Sequence, residues 1–329
     1  MTDFENTAGR VQADIGRLED ALNGVIVGQR PLVRDVLIGL FAGGHILLEG
    51  LPGLGKTHLA KALAAALGMR LGRVQCTPDL LPADITGSEV LASDGRDVEF
   101  RPGPVFANLV LVDEINRATP RTQSALLEAM QERQVTYAGR RFPLPEPFWV
   151  IATQNPIELE GTFPLPEAQL DRFLMKIPIA YPSADSLEEL LETSLDREPA
   201  DELGRLVDGE RALAIRDAAR QVIVAAPVRQ AAIELVLATQ PDSHAAADPI
   251  ARHIRYGASP RALQALIRAA RVRALFDGRP QAGFEDIGAV AEPILLHRLL
   301  LHTSSELEGI TVDSVLEGLL SEWHSRHIG

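Results

Sequence analysis

Two acids in succession, Asp113 and Glu114, end the run "NLVLVDEINRA" directly after four apolar residues, Leu109 to Val112. Such a run fits a buried parallel strand, and α/β sheets gather their ligand chemistry at the carboxyl ends of those strands. There Asp113 is suited to holding the hydration shell of a Mg²⁺ ion and Glu114 to polarising a water for attack on phosphorus. Paired acids at a strand end also serve as helix caps, so the pair needs company before it means chemistry. That company lies upstream. Gly50, Leu51, Pro52, Gly53, Leu54, Gly55, Lys56 and Thr57, with His58 next, fill G-x-x-x-x-G-K-[ST] completely and add Gly53 inside it. Glycines there let successive backbone N–H groups turn inward around a β-phosphate, and the helix that follows adds the positive end of its dipole. Lys56 then reaches the β- and γ-phosphates, and the Thr57 hydroxyl binds Mg²⁺. A third run, "FWVIATQNP", ends in Thr153, Gln154 and Asn155. The Asn155 amide can donate to an attacking water or to a γ-phosphate without adding charge, although Asn before Pro156 is equally a turn signal.

These groups need a sheet to hold them. Up to about residue 181, five β-type runs, "HILLE", "RVQCT", "LVLVD", "FWVIAT" and "FLMKIPI", alternate with helical stretches, the pattern of a parallel sheet with crossover helices. Leu59, Leu63 and Leu67 recur every four residues after the glycine loop, and Gly68 offers a helix stop. Beyond "AYPSADSLEELLE" the β-type runs mostly cease and Ala, Leu and Arg recur at helical spacing, which puts a boundary near Pro182 and a mostly helical domain behind it. Residues 194 to 212, acidic and punctuated by Gly and Pro, read as an exposed connection.

Composition narrows the classes. The chain has 329 residues, 46% of them hydrophobic, and a mean hydropathy near zero, as expected of a globular protein with room for two domains. No apolar run approaches the roughly 18 residues of a membrane span, and the first ten residues are acidic rather than basic, which together suggest a cytoplasmic protein. Cys76, the single cysteine, excludes an internal disulfide and a cysteine-rich zinc site; its apolar neighbours mark it as a buried strand residue. A formal charge of −13 argues against a broad grip on nucleic acid. His297, His302, His324 and His327 are scattered through the helical end, and "HSRH" is too short to count as a metal site.

The stretches "GLPGLGKTHLAKALA", "TPDLLPADITGSEV", "GPVFANLVLVDEINRATPRTQSALLEAMQERQVT", "VIATQNPIELEGTFPLPEAQLDRFLMKI" and "GASPRALQALIRAARVRALFDGR" together resemble the AAA+ ATPases, and within them the MoxR group. The resemblance covers roughly residues 24 to 300. It implies an α/β fold: a P-loop AAA+ core over 24–181 with a parallel five-stranded sheet flanked by helices, an N-terminal helix at 1–23, and a smaller all-α lid domain over 182–329. It implies ATP as substrate with Mg²⁺, Asn155 as sensor 1, Arg172 in "QLDRF" as the arginine finger that completes a neighbouring subunit's site, and Arg261 in "GASPRA" as the sensor 2 arginine of the lid. Ser259 and Pro260 fit an N-cap and first helical residue, which sets Arg261 at a helix N-terminus facing phosphate. Arg117 and Arg121 remain open as alternatives to Arg172. "GVIVGQRPLVRDVL" resembles the segment whose backbone holds the adenine, with Val27 and Gly28 as candidates and Ile26 as a wall, or else as core and turn. Residues 80–101, with the polar turn "SDGRD", resemble the insert in the second helix. Thr119 and Pro120 cap and start a helix to about Arg133, and "QVTYAGRRF" reads as a hairpin at about 134–143, turning at Ala138 and Gly139. Relatives' hairpins face a central ring channel, where Arg140 and Arg141 would meet a client or simply be solvated.

By the same resemblance the chain is a homo-oligomer, a hexameric ring, that remodels or matures partner protein complexes together with a separate von Willebrand factor A domain protein. A helicase-like nucleic-acid motor or a magnesium-chelatase-like motor subunit is the alternative reading, and a nucleotide-dependent scaffold a third. Aromatics at 5% give the nucleic-acid reading few stacking platforms. Intact Lys56, Asp113 and Glu114 argue against a scaffold.

Overall fold

The computed structural model describes residues 3–91, 98–156, 161–194, 203–244 and 248–329. Its centre is a five-stranded sheet of β1 (Ile46–Glu49), β2 (Leu71–Gln75), β3 (Leu109–Asp113), β4 (Trp149–Gln154) and β5 (Met175–Pro178), in the order β2-β3-β4-β1-β5. Every pairing is parallel. Parallel strands need crossovers, so both faces acquire helices and the central strands are buried on both sides. That is why "LVLVD" is a continuous apolar run with every residue buried. At the edge, β2 buries only alternate residues, so Leu71, Arg73 and Gln75 share its outer face.

One face of the sheet packs on the helices Arg30–Phe41 and Lys56–Ala66; the other packs on the helix Pro120–Glu132. Trp149 of β4 meets Phe41 edge to face at 5.6 Å, and Phe41 meets Phe276 at 5.7 Å. These rings join the sheet to the helix Pro260–Phe276, which anchors the helical part of the chain. The N-terminal helix Asp3–Asn23 lies against that same helix, fixed at its rim by Asp14–Arg211 at 2.7 Å and Glu19–Arg34 at 2.8 Å.

After Pro182 come the helices Ala184–Ser194, Gly209–Gln221, Ala226–Ala238, Asp248–His253, Pro260–Phe276, Phe284–Leu295, Thr303–Leu307 and Val312–His327. Two-residue and three-residue strands interrupt them. Residues 195–202 of the expected connection lie outside the described residues, as does the turn "SDGRD" within 92–97.

Two hairpins stand off the sheet. Gly87–Leu91 pairs antiparallel with Val98–Pro102, and Gln134–Tyr137 with Arg140–Pro143, the second turning at Ala138 and Gly139 with φ of +47° and +76°. Phe100 of the first stacks on Phe142 of the second at 4.2 Å and also meets Tyr137 and Phe106. The hairpins therefore share one aromatic cluster. Arg140 and Arg141 are exposed. No helix among the described residues is long and apolar enough to cross a membrane.

Candidate active site

Because all five strands run the same way, the segments leaving β1, β3 and β4 emerge on one edge of the sheet. There Gly53, Gly55, Lys56, Thr57, His58, Asp113, Glu114, Thr153 and Asn155 line a single cleft of about 360 Å³. The glycine loop leaves β1 at Gly50. Gly55, at φ +80°, is the N-cap of the helix Lys56–Ala66, a left-handed conformation that a side chain would strain. No side chain caps this helix and no acid sits in its first turn. Its first N–H groups thus keep their capacity to bind an anion. Lys56 Nζ donates to the Gly50 carbonyl at 2.6 Å, folded back over the loop. Leu51 and Pro52 are exposed at the tip, while Leu54 packs partly against the core.

The acids are not bare. Arg73 donates from Nε and Nη2 to Asp113 Oδ2, each at 3.0 Å, because β2 pairs with β3 in a register that sets Gln75 opposite Asp113. Glu114 adopts φ +56°, and its N–H donates to Thr153 Oγ1 at 2.9 Å, which turns the residue out of the strand direction. Gln75 Nε2 and Arg117 Nη1 then both donate to Glu114 Oε2, at 3.0 and 3.1 Å. Arg117 is accordingly engaged with its own chain's carboxylate; Arg121 is exposed in the first turn of the next helix. The Thr57 hydroxyl and Asp113 carboxylate form the hard oxygen set that Mg²⁺ prefers. Asp113 already neutralises a cationic group, the Arg73 guanidinium, so the donor chemistry fits a cation.

Asn155 is buried at the tip of β4, and its carbonyl accepts from Asn116 Nδ2 at 3.3 Å. Ile26 and Val27 are buried, each 6% exposed. Gly28 follows at φ +74°, and a Cβ there would come within 2.1 Å of Ser186 Oγ. Ser186, on the helix Ala184–Ser194, thus backs the segment with which Val27 and Gly28 approach the glycine loop's edge of the sheet.

Arg172 and Arg261 lie elsewhere. Both line a second cleft, of about 260 Å³, with Gly44, His45, Phe173 and Leu174, residues that precede β1 and β5. That cleft is at the amino edge of the sheet, so the length of the strands, roughly 13 Å for four residues, separates it from the loop. Ser259 does cap the helix Pro260–Phe276, accepting from the Arg261 N–H at 3.2 Å. The Arg261 guanidinium, however, faces Asp171 at 3.6 Å rather than its own chain's Lys56 cleft. Asp171 is a hub here: it also accepts from Ser259 Oγ at 3.1 Å and from Arg298 Nε at 2.7 Å. Buried Arg298 donates further to the carbonyls of Phe173, Leu174 and Ile294, tying the helical part to the root of β5 beside Arg172.

Three residues of these sites, Arg73, Gln75 and Arg298, carry no local motif, and Asp171 stands in "QLDRF", where the sequence singled out only its neighbour Arg172. The only trace of the first two is the period-2 spacing of "RVQ" on an edge strand. Cys76, immediately after β2, is buried, and burial with Asp113 and Glu114 nearby pushes its thiol up to about 12. His297 is buried with Nε2 near the Phe173 carbonyl, 3.2 Å away; His327 stacks on Phe284 at 5.4 Å; His302 precedes a short helix; and His324 Nδ1 lies 2.6 Å from the Leu320 carbonyl.

Known proteins share this arrangement. The family model for the ATPase family associated with various cellular activities (AAA) matches residues 45–175, and the model for the AAA lid domain matches residues 247–319. The chain is 39% identical to Chaperone MoxR1 of Mycobacterium tuberculosis, over 94% of this chain and 82% of that protein. It is 38% identical to Protein MoxR of Paracoccus denitrificans, over 88% and 89%. A solved structure from Cytophaga hutchinsonii, described as a candidate ATPase, superposes with a TM-score of 0.89 at 40% identity, covering 96% of both chains. With a parallel five-stranded sheet, a helical lid and relatives of this name at such coverage, the chain belongs to the MoxR family of AAA+ ATPases.

Proposed function

We propose that the carboxyl-edge cleft hydrolyses ATP and that a second copy of the chain completes it. The observation that carries this reading is the pairing of an uncapped, acid-free helix N-terminus beside Lys56 with two strand-end carboxylates in one cleft. In this reading Val27 and Gly28 hold the adenine, while Lys56 and the N–H groups of Gly53 to His58 hold the phosphates. Mg²⁺, held by Thr57 and Asp113, would neutralise charge on the β- and γ-phosphates. Glu114 takes a proton from a water that the Asn155 amide orients. The water oxygen bonds to the γ-phosphorus as the bond to the β,γ-bridging oxygen breaks, ADP leaves, and the proton passes from Glu114 to the phosphate released. Both donors on Glu114 use Oε2, which leaves Oε1 to receive that proton.

Arg172 and Arg261 stand too far from their own chain's loop to act there, so they serve the next copy. A guanidinium supplied in this way is typically worth 10³ to 10⁵ in rate. Amino-edge face against carboxyl-edge face is a head-to-tail contact, which closes into a ring when the rotation allows; six copies is what the resemblance to the AAA+ ATPases implies. The core would span 24–181 and the lid 182–329. The ring's work would be the remodelling or maturation of partner complexes, alongside a separate protein with a von Willebrand factor A domain; a relative's name, Chaperone MoxR1, points the same way. Purified protein with Mg²⁺ and ATP should release phosphate at least about a hundredfold faster than a Glu114→Gln variant. Equal rates would remove Glu114 from the reaction.

A further inference from the structure

Beside Arg172 and Arg261 the amino-edge face carries further arginines. Arg133 and Arg268 line both the cleft of Arg172 and a second, adjoining one of about 90 Å³ that also holds Arg271. Arg268 has no carboxylate within salt-bridge distance among the described residues; it donates to the Gln264 carbonyl at 3.3 Å. Partial desolvation, with Arg133 close by, lowers its pKa. Among the described residues, Arg271 Nε is buried without a hydrogen-bond partner. Beside them Leu263 and Ile267, with Gln264 and Arg268, form a shallow hollow on the outer side of the helix Pro260–Phe276. Arg133 is paired with Glu146 at 3.6 Å, so the charge that this face offers, in a chain of net charge −13, is chiefly that of Arg268 and Arg271, with an apolar strip at its side.

A complementary surface exists on the same molecule at the other edge of the sheet. The helix Ala184–Ser194 leaves β5 at its carboxyl end and packs Ser186 against Gly28. Outward it shows Leu187 and Leu191, 38% and 60% exposed, one helical turn apart, with Asp185 and Glu188 exposed beside them. Two leucines at i and i+4 flanked by acids need a groove with apolar floor and cationic rim. The hollow by Arg268 has both.

We propose that the helix Ala184–Ser194 of one copy docks on the Leu263, Ile267 and Arg268 face of the next, with Arg133 and Arg271 at its rim, forming the contact that seats Arg172 and Arg261 over the neighbour's nucleotide. This rests on the shared-site reading above, which already requires the amino-edge face of one copy to meet the carboxyl-edge face of another. Arg268 is seven residues beyond Arg261, about 10 Å along the helix, within the length of a bound nucleotide triphosphate. The two surfaces therefore meet when the arginines reach phosphate.

Charge exchange tests it. Sedimentation velocity of the full chain with ATP and Mg²⁺ gives the concentration at half assembly for the parent, Arg268→Glu, Glu188→Arg and the double variant, with thermal melts to verify folding. Either single change should raise that concentration about tenfold, and the double variant, as well as an equimolar mixture of the singles, should recover most of the loss. Arg268 and Glu188 are both exposed, so these charge variants should melt within a few degrees of the parent. Replacing Leu187 and Leu191 together with Ser should weaken assembly irrespective of salt. Parent-like assembly of both singles, or singles that weaken assembly without recovery in the double variant, would overturn the docking. If a mixture of Arg172→Ala with Lys56→Ala recovers hydrolysis while charge exchange fails, the shared site stands and only this surface falls.

Discussion

Arg73 holds the carboxylate that the proposed chemistry reserves for a divalent cation, so removing its guanidinium should tighten metal binding rather than weaken it. Both of its bonds reach Asp113 Oδ2 at 3.0 Å. A charge-assisted pair in that geometry is worth about 1.5–3 kcal/mol when protected from water. Arg73 is 54% exposed, and solvent screening reduces the figure to about 1 kcal/mol. Metal that must displace the guanidinium pays that amount, so Arg73→Met should lower the Mg²⁺ concentration needed for nucleotide binding about fivefold. The methionine keeps the stem that lies along the outer face of β2. A fluorescent ATP analogue titrated with Mg²⁺ at fixed protein reads this directly, without turnover. A melt without metal should show the opposite sign, a loss of about 1 kcal/mol. If Mg²⁺ binding weakens or stays the same in Arg73→Met, the guanidinium orients Asp113 for metal instead of competing with it, and the reasoning fails.

Buried titratable groups give further outcomes. His45 donates from Nε2 to the Met130 carbonyl while Nδ1 accepts from the Val150 N–H, a neutral tautomer whose pKa burial lowers to about 4. The unfolded chain takes up that proton near pH 6.5 and the folded one does not, so stability is full above pH 6.5 and falls as pH drops toward 4. The loss is on the order of 3 kcal/mol at the low end, and denaturant melts of His45→Gln should flatten that slope. Asp35 runs the other way. Burial raises its pKa to about 6, so its charge costs stability above pH 6 and the cost fades toward pH 4; Asp35→Asn should gain on the order of 2–3 kcal/mol at pH 8 and little at pH 4.

What was legible in the chain was local. The spacing of Gly50, Gly55, Lys56 and Thr57, and two acids at the end of "LVLV", are short-range patterns whose meaning does not depend on which strands are neighbours. The partners of those acids do depend on it. Arg73 and Gln75 meet Asp113 and Glu114 because β2 pairs with β3 rather than with β1, and nothing within "RVQ" specifies that pairing. Arg172 and Arg261 could be matched to their motifs, but strand direction decides that they emerge on the edge opposite the loop. Asp171 and Arg298, 127 residues apart, are joined only once the helical part folds back on β5. The helix Ala184–Ser194 lies just behind the boundary expected near Pro182, and its contact with Gly28 is what sets it beside the carboxyl-edge cleft.

The central claim is that one catalytic site is built from two copies, and mixing two inactive variants tests it most directly. Lys56→Ala removes the phosphate contact from a chain's own cleft, and Arg172→Ala removes what the chain lends to its neighbour, so each alone should hydrolyse ATP at least about a hundredfold more slowly than the parent. In an equimolar random assembly, about one interface in four joins an intact Lys56 to an intact Arg172, and the mixture should recover roughly a quarter of the parent rate. A mixture no more active than its components, with assembly intact, would contradict a site shared between copies.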